Sequence, residues 1–88
     1  MCEITPDILK VRALDNYWIY LKFETGEEKA FDMKELIQKI ESYNKLKIRE
    51  YFENVKPRGE TVEWENGEDV CPESLYYDSI NYKDYKRA

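Results

Sequence analysis

The sequence predicts a small α+β domain: a small antiparallel sheet with a helix packed on one face. The predicted order is strand, strand, strand, helix, short helix, strand, strand, short helix. Three observations carry this. Two runs near the start, "ILKVRAL" and "YWIYLKFE", alternate apolar and polar residues, the period of a strand with one buried face. The stretch "FDMKELIQKIESY" changes to helical spacing. The three glycines, in "ETGEE", "PRGET" and "ENGED", each follow a polar residue, which is turn chemistry.

The elements follow in order. In the first run Leu9, Val11 and Ala13 share a face, and Lys10 and Arg12 point the other way. In the second, Tyr17, Ile19, Leu21 and Phe23 share a face against Trp18, Tyr20, Lys22 and Glu24. A three-residue loop, Leu14 to Asn16, pairs Ala13 with Tyr17, Val11 with Ile19 and Leu9 with Leu21, and it places Asn16 where left-handed geometry is needed. A two-residue loop would set Lys10 and Arg12 beside apolar partners. A third strand, about Glu28 to Phe31, returns after Thr25–Gly26, and a two-residue turn there sets Ala30 opposite Leu21. Asp32 is placed to cap a helix, with Glu35 completing a capping box and Met33, Leu36, Ile37 and Ile40 on one face. Ile48, Tyr51, Phe52 and Val55 have the spacing of a short second helix. "NVKPRGETVEWEN" reads as a hairpin around Arg58–Gly59 with Val55 opposite Val62, and Trp64 on the same face as Val62. Pro72 suits the first position of a last short helix, and Glu73 suits its dipole. Residues 1–80 are therefore read as one domain and residues 81–88 as a short charged tail, expected to be flexible.

Composition narrows the function. The 88 residues carry a formal net charge of −5, with 42% apolar, 15% aromatic and 38% charged residues. Such a chain is repelled by phosphate backbones unless a basic patch is segregated, so direct nucleic-acid binding is not expected. No histidine is present, which removes the usual general base and the commonest metal ligand. "MCEITPDILK" has neither the basic start nor the apolar run of a secretory signal, and the longest apolar stretch, "YWIYL", is too short for a membrane span. The reading is a cytoplasmic protein with Cys2 and Cys71 as reduced thiols and no cofactor.

The stretch richest in reactive groups is "WENGEDVCPESLYYD", Trp64 to Asp78. Glu65, Glu68, Asp69 and Glu73 could act as acid and base or hold a cation, but they lack the alternate acidic spacing of known cation loops. A solvated turn is preferred, with Glu65, Glu68 and Asp78 in water. Cys71 at a helix start is read as an inert, half-buried thiol. Trp64, Leu75 and Tyr76 are expected in the core, and Asn66–Gly67 in the turn. The Asp69 carboxylate is expected to tie the loop to a backbone N–H near the helix start. Trp18 and Tyr20 lie on the second face of the sheet, with Phe31 a candidate to join them. That face is either wet or a partner surface. Tyr82 and Tyr85 either stay disordered in the tail or order on a partner. These four aromatic residues form the candidate interaction surface.

"VRALDNYWIYLKFETGEEKAFDMKELI" followed by "YFENVKPRGETVEWENGEDVCPESLY" resembles the bacterial domain-of-unknown-function 2442 family over about residues 4–77. The matching positions are Phe23, Gly26, Glu27, Phe31, Asp32, Phe52, Val55, Trp64, Asn66, Gly67, Asp69, Pro72, Glu73, Leu75 and Tyr76. The resemblance implies a fold like the amino-terminal domain of a Nitrosomonas protein of that family, and no defined activity. It also implies that members occur alone or joined to a helix-turn-helix domain, and that some are encoded beside small domain-of-unknown-function 4160 proteins, a pairing proposed as toxin and antitoxin. The leading expectation is a non-catalytic protein-interaction domain, accessory or antitoxin-like, bound to another small protein. The alternatives are a DNA-associated regulator acting through a partner or dimer, and a small metal binder or enzyme using Asp69 and Glu73 or Cys71. Open sheet edges also allow a homodimer.

Overall fold

The computed structural model describes residues 5–87, so Cys2 and any pairing of its thiol lie outside the described residues. In chain order the elements are β1 (Ile8–Ala13), a 3-10 turn (Asp15–Tyr17), β2 (Trp18–Phe23), β3 (Glu28–Asp32), α1 (Lys34–Lys39), a 3-10 run (Glu41–Lys47), α2 (Arg49–Phe52), β4 (Lys56–Arg58), β5 (Thr61–Glu63), α3 (Pro72–Tyr77), β6 (Ile80–Asn81) and α4 (Tyr82–Arg87). The main sheet has the order β1-β2-β3-β6, all antiparallel, and β4-β5 forms a separate ribbon. The α+β class and the antiparallel sheet with packed helices are as the sequence predicts.

The core lies on one face of the sheet. Ile19, Leu21 and Phe23 of β2 are buried there with Met33, Ile37, Leu46, Phe52, Val62, Trp64 and Leu75. Each such side chain contributes roughly 1.5–3 kcal/mol relative to exposure. The Trp64 indole N–H donates to the Phe52 carbonyl at 2.9 Å, and the two rings stack with centroids 5.9 Å apart.

The first hairpin has its three-residue loop one position later than predicted. The Leu14 N–H bonds the Trp18 carbonyl at 2.8 Å, so the loop is Asp15–Tyr17. Val11 faces Leu21 and Ala13 faces Ile19, a shift of two that leaves both on their predicted face. Asn16 does adopt positive φ, 59°, and so does Tyr17, at 62°. Tyr17 leaves the strand to set its ring edge-on to Phe52 at 5.2 Å, with its hydroxyl donating to the Lys47 carbonyl. Leu9 is a correction. A bulge between Ile8 and Lys10 puts Ile8 in the core and turns Leu9 out, 57% exposed.

The second hairpin corrects a face. Phe23 N–H bonds the Glu27 carbonyl and Gly26 N–H bonds the Phe23 carbonyl, both at 2.9 Å, so the loop has three residues, not two. Ala30 therefore pairs with Tyr20, not Leu21, and Phe31 enters the core beside Ile19, not the second face. A one-residue slip exchanges the faces, and burying Phe31 removes more apolar area from water than burying Ala30.

Later elements differ in detail. The Asp32 carboxylate accepts the Lys34 N–H at 2.9 Å, as a cap should, but Glu35 pairs with Lys39 at 2.7 Å and does not complete a capping box. Ile40 stands past the end of α1 in extended backbone and is 37% exposed. The second helix is one turn, preceded by the 3-10 run. Leu46 fills the core where Ile48 was expected, and Ile48 is 58% exposed. In β4-β5, Pro57 faces Val62 in place of Val55, because the loop is again one residue later. Residues 81–87 are not a free tail: Ile80–Asn81 pairs with Lys29–Ala30, and α4 follows directly. The sheet thus has the core on one face and α4 on the other.

Candidate functional site

Strand register assembles the second face. Its rows are Lys10, Lys22 and Glu28; then Arg12, Tyr20, Ala30 and Ile80; then Trp18 and Asp32. The α4 helix stands on these rows through two rings one turn apart. Tyr82 meets Tyr20 edge-on at 4.7 Å, Tyr85 meets Trp18 at 5.2 Å, and Tyr82 stacks on Tyr85 at 6.0 Å. Trp18, Tyr20, Tyr82 and Tyr85 are therefore brought together, but largely by one another. Tyr20 and Ala30 are buried, while Trp18, Tyr82 and Tyr85 remain half-buried.

Cations lie on the rings. The Arg12 guanidinium sits 4.8 Å from the Tyr20 centroid, Lys34 5.5 Å from Trp18 and Lys86 4.9 Å from Tyr82. Arg12 also donates to the Tyr82 hydroxyl at 3.3 Å. The Tyr20 hydroxyl donates to the Glu28 carboxylate at 2.5 Å. Burial, reinforced by that bond, pushes the Tyr20 phenol up to about 12. The same bond holds the Glu28 carboxyl below its ordinary range, helped by Lys22, Lys86 and Lys83. Two open clefts flank α4: one of about 450 Å³ by Gly26, Glu28 and Asp84, and one of about 400 Å³ by Asp15, Trp18, Ile80 and Tyr85.

The face is positive on a chain that is not. Lys10, Arg12, Lys22, Lys34, Lys83 and Lys86 share it with Glu28, Asp32 and Asp84, with Asp15 at one rim and Glu24, which accepts the Asp7 N–H, at the other, while the whole chain carries −5. Lys34 has Asp32 at 3.6 Å. Lys10 and Lys22 stand directly opposite each other, and among the described residues neither is in an ion pair. The alternation in "ILKVRA" and "YLKF" puts Lys10, Arg12 and Lys22 off the core. Their meeting with Lys83 and Lys86 depends on β6 and α4, which no local signal reports.

The loop from Trp64 to Tyr76 is built as a scaffold. Trp64 N–H bonds the Glu68 carbonyl at 3.0 Å and Gly67 N–H bonds the Trp64 carbonyl at 2.9 Å. That repeats the Phe23–Glu27 turn, and "FETGE" and "WENGE" share its pattern. In each turn the glutamate after glycine accepts a tyrosine hydroxyl at 2.6 Å: Tyr76 to Glu27, Tyr51 to Glu68. The Tyr51 oxygen also accepts the Asn66 N–H at 2.8 Å. Glu68 is therefore half-buried and engaged, not solvated as expected. Trp64 and Leu75 are core, Tyr76 packs edge-on against Phe23 at 5.1 Å, Pro72 opens α3 and Glu73 lies in its first turn. Asp69 works through its main chain. It bridges Glu63, and its carbonyl accepts the Tyr43 hydroxyl, where a carboxylate tie to the helix start was expected. Cys71 is exposed, not half-buried. Among the described residues, no group of three or more Cys, Asp or Glu side chains is placed to hold a metal ion, and no helix is long and apolar enough to cross a membrane.

Fold and surface define a small α+β domain with a scaffolded loop and an aromatic, basic second face. The chain belongs to the family described as protein of unknown function (DUF2442), whose model matches residues 8–81. No curated protein and no solved structure matches it.

Proposed function

We propose that the chain is a non-catalytic protein-interaction domain, a cytoplasmic accessory or antitoxin-like partner of another small bacterial protein. The observation that carries this reading is the second face of the sheet. The half-exposed rings of Trp18, Tyr82 and Tyr85 stand there beside Ile80, bordered by Lys10 and Lys22. Rings that bury large area yet keep a polar tip, edged by charge, are the composition that protein interfaces favour. The loop carboxylates support the same reading. Glu27 is shifted down by the Tyr76 hydroxyl, so it stays ionised at neutral pH and acts as an acceptor, not as an acid. The test is co-expression with the product of the adjacent gene, followed by gel filtration and calorimetry. Co-elution with measurable heat is expected; separate elution without heat overturns the reading.

A DNA-associated role through a partner or dimer is the second reading, and the segregated cations of the same face favour it. An electrophoretic shift of the chain's own promoter at low salt tests it. No shift at micromolar protein removes it.

A further inference from the structure

We propose that the Lys10–Lys22 row is the docking place for an extended acidic segment of a partner protein. This rests on the interaction-domain reading and adds the surface and the chemistry of its occupant. Like charges directly opposite on neighbouring strands repel. The register that opposes them is set at the turn, where the Leu14 N–H bonds the Trp18 carbonyl, and carries Val11 to Leu21 and Ala13 to Ile19 on the core side. A solvent-facing sheet position accepts many residue types, so the fold itself does not require a repulsive pair there, and a local rule broken without a packing gain points to a use outside the fold. Glu28, the next residue in the row, is ionised and offsets part of the Lys22 charge, but it also accepts the Tyr20 hydroxyl and faces Lys83 and Lys86, and neither lysine of the pair reaches an ion pair among the described residues.

The geometry suits an extended chain. Arg12 follows Lys10 by two residues on β1, the edge strand of the sheet, so the two cations recur about 6.8 Å apart. Alternate side chains of an extended acidic segment recur at the same interval. Leu9, exposed by the bulge, adds an apolar contact beside Lys10. Nucleic acid fits less well. The face of Tyr20 is covered by Arg12, that of Trp18 by Lys34 and that of Tyr82 by Lys86, which occupies the surfaces on which bases would stack. A long polyphosphate would also meet the excess carboxylates of a chain at −5, which a short peptide avoids.

The test uses the full chain and a fluorescent peptide alternating glutamate and serine, read by anisotropy at low salt beside oligothymidylate and a short DNA duplex. The peptide is expected to bind the native chain. Lys10→Glu is expected to weaken it on the order of tenfold, and Lys45→Glu, remote from the row, to leave it within about twofold. Lys10→Glu also replaces a repulsive cross-strand pair by an attractive one, so its melting temperature should rise and lost binding cannot be ascribed to unfolding. Failure of the peptide to bind, equal binding by Lys10→Glu, tighter binding of either nucleic acid, or self-association through this row would each overturn the proposal. Co-elution with the adjacent gene product that survives Lys10→Glu overturns this surface and leaves the interaction-domain reading standing. Peptide binding without co-elution does the reverse.

Discussion

Trp64 joins packing and hydrogen bonding in one side chain. It is among the largest fully buried residues, and its N–H satisfies the Phe52 carbonyl inside the core. Trp64→Phe keeps most of the apolar contact but leaves that carbonyl unpaired. The expected loss is about 1–3 kcal/mol, seen as a lower urea midpoint with an unchanged slope. Trp64→Ala adds a cavity and should cost about 3–5 kcal/mol. That Trp64 is buried was legible from its alternation with Val62. Its bond to Phe52 was not, because the two residues meet through the chain's return from α2 to β5. Asp69 shows the same limit. Its place in the family motif was visible, but the structure gives it a main-chain role that another residue type could fill, and the sequence cannot separate that from a carboxylate tie.

At the scale of elements, the two glycine turns are the same device used twice. Gly26 and Gly67 have φ of 94° and 92°, and a Cβ at either would meet nothing within 4 Å. The cost of Gly26→Ala or Gly67→Ala is then conformational alone, about 1–2 kcal/mol each, and Asn in either place should cost less. Thermal unfolding of the four variants checks this. The hairpins also show why some pairings were legible. A shift of two residues preserves the faces, so alternation placed Val11, Ala13, Ile19, Leu21 and Phe23 correctly even where the loop was misplaced, but not Leu9, which the bulge turns out. The third strand has few apolar residues to fix its face, and a one-residue slip there exchanged Ala30 and Phe31. The α4 helix was misread because its contacts are two tyrosines three residues apart among charges, a pattern that solvated tails share. If those rings hold the helix, Tyr82→Ser with Tyr85→Ser should free it. Trp18 emission should shift to the red and α4 amides exchange faster, while the core keeps its near-ultraviolet circular dichroism. The helix would lose its two ring contacts to the sheet, each contributing about 0.5–1.5 kcal/mol beyond area.

Over the whole molecule, tyrosine–glutamate pairs tie neighbouring strands and separate segments: Tyr20 to Glu28 across the second hairpin, Tyr51 to Glu68 and Tyr76 to Glu27 at the two turns. They set the pH range of stability. The Glu27 and Glu28 carboxyls titrate below their ordinary 4.5, each chiefly because a tyrosine hydroxyl donates to it. A carboxylate depressed in the folded state stabilises above its unfolded value and loses that contribution as pH falls through the folded one. The phenols move the other way. Tyr43 and Tyr51 are raised from 10.0 chiefly by burial, and Tyr76 chiefly by its bond to Glu27. Tyr20 is raised furthest, to about 12. A raised phenol keeps its full contribution below 10.0 and loses it between there and the folded value. The melting temperature should therefore be flat through neutrality, fall in acid below the ordinary carboxylate range, and fall again in alkali above the ordinary tyrosine value. Tyr20→Phe separates the pairs. It removes the donor to Glu28, so that carboxyl should return toward 4.5 in a carbon-detected titration while Glu27, bonded to Tyr76, keeps its depressed value. Both limbs of the melting curve should then become shallower, because one depressed carboxyl and one raised phenol have been removed together. If the acid limb were unchanged and Glu28 did not move, the coupling across the second face would be absent.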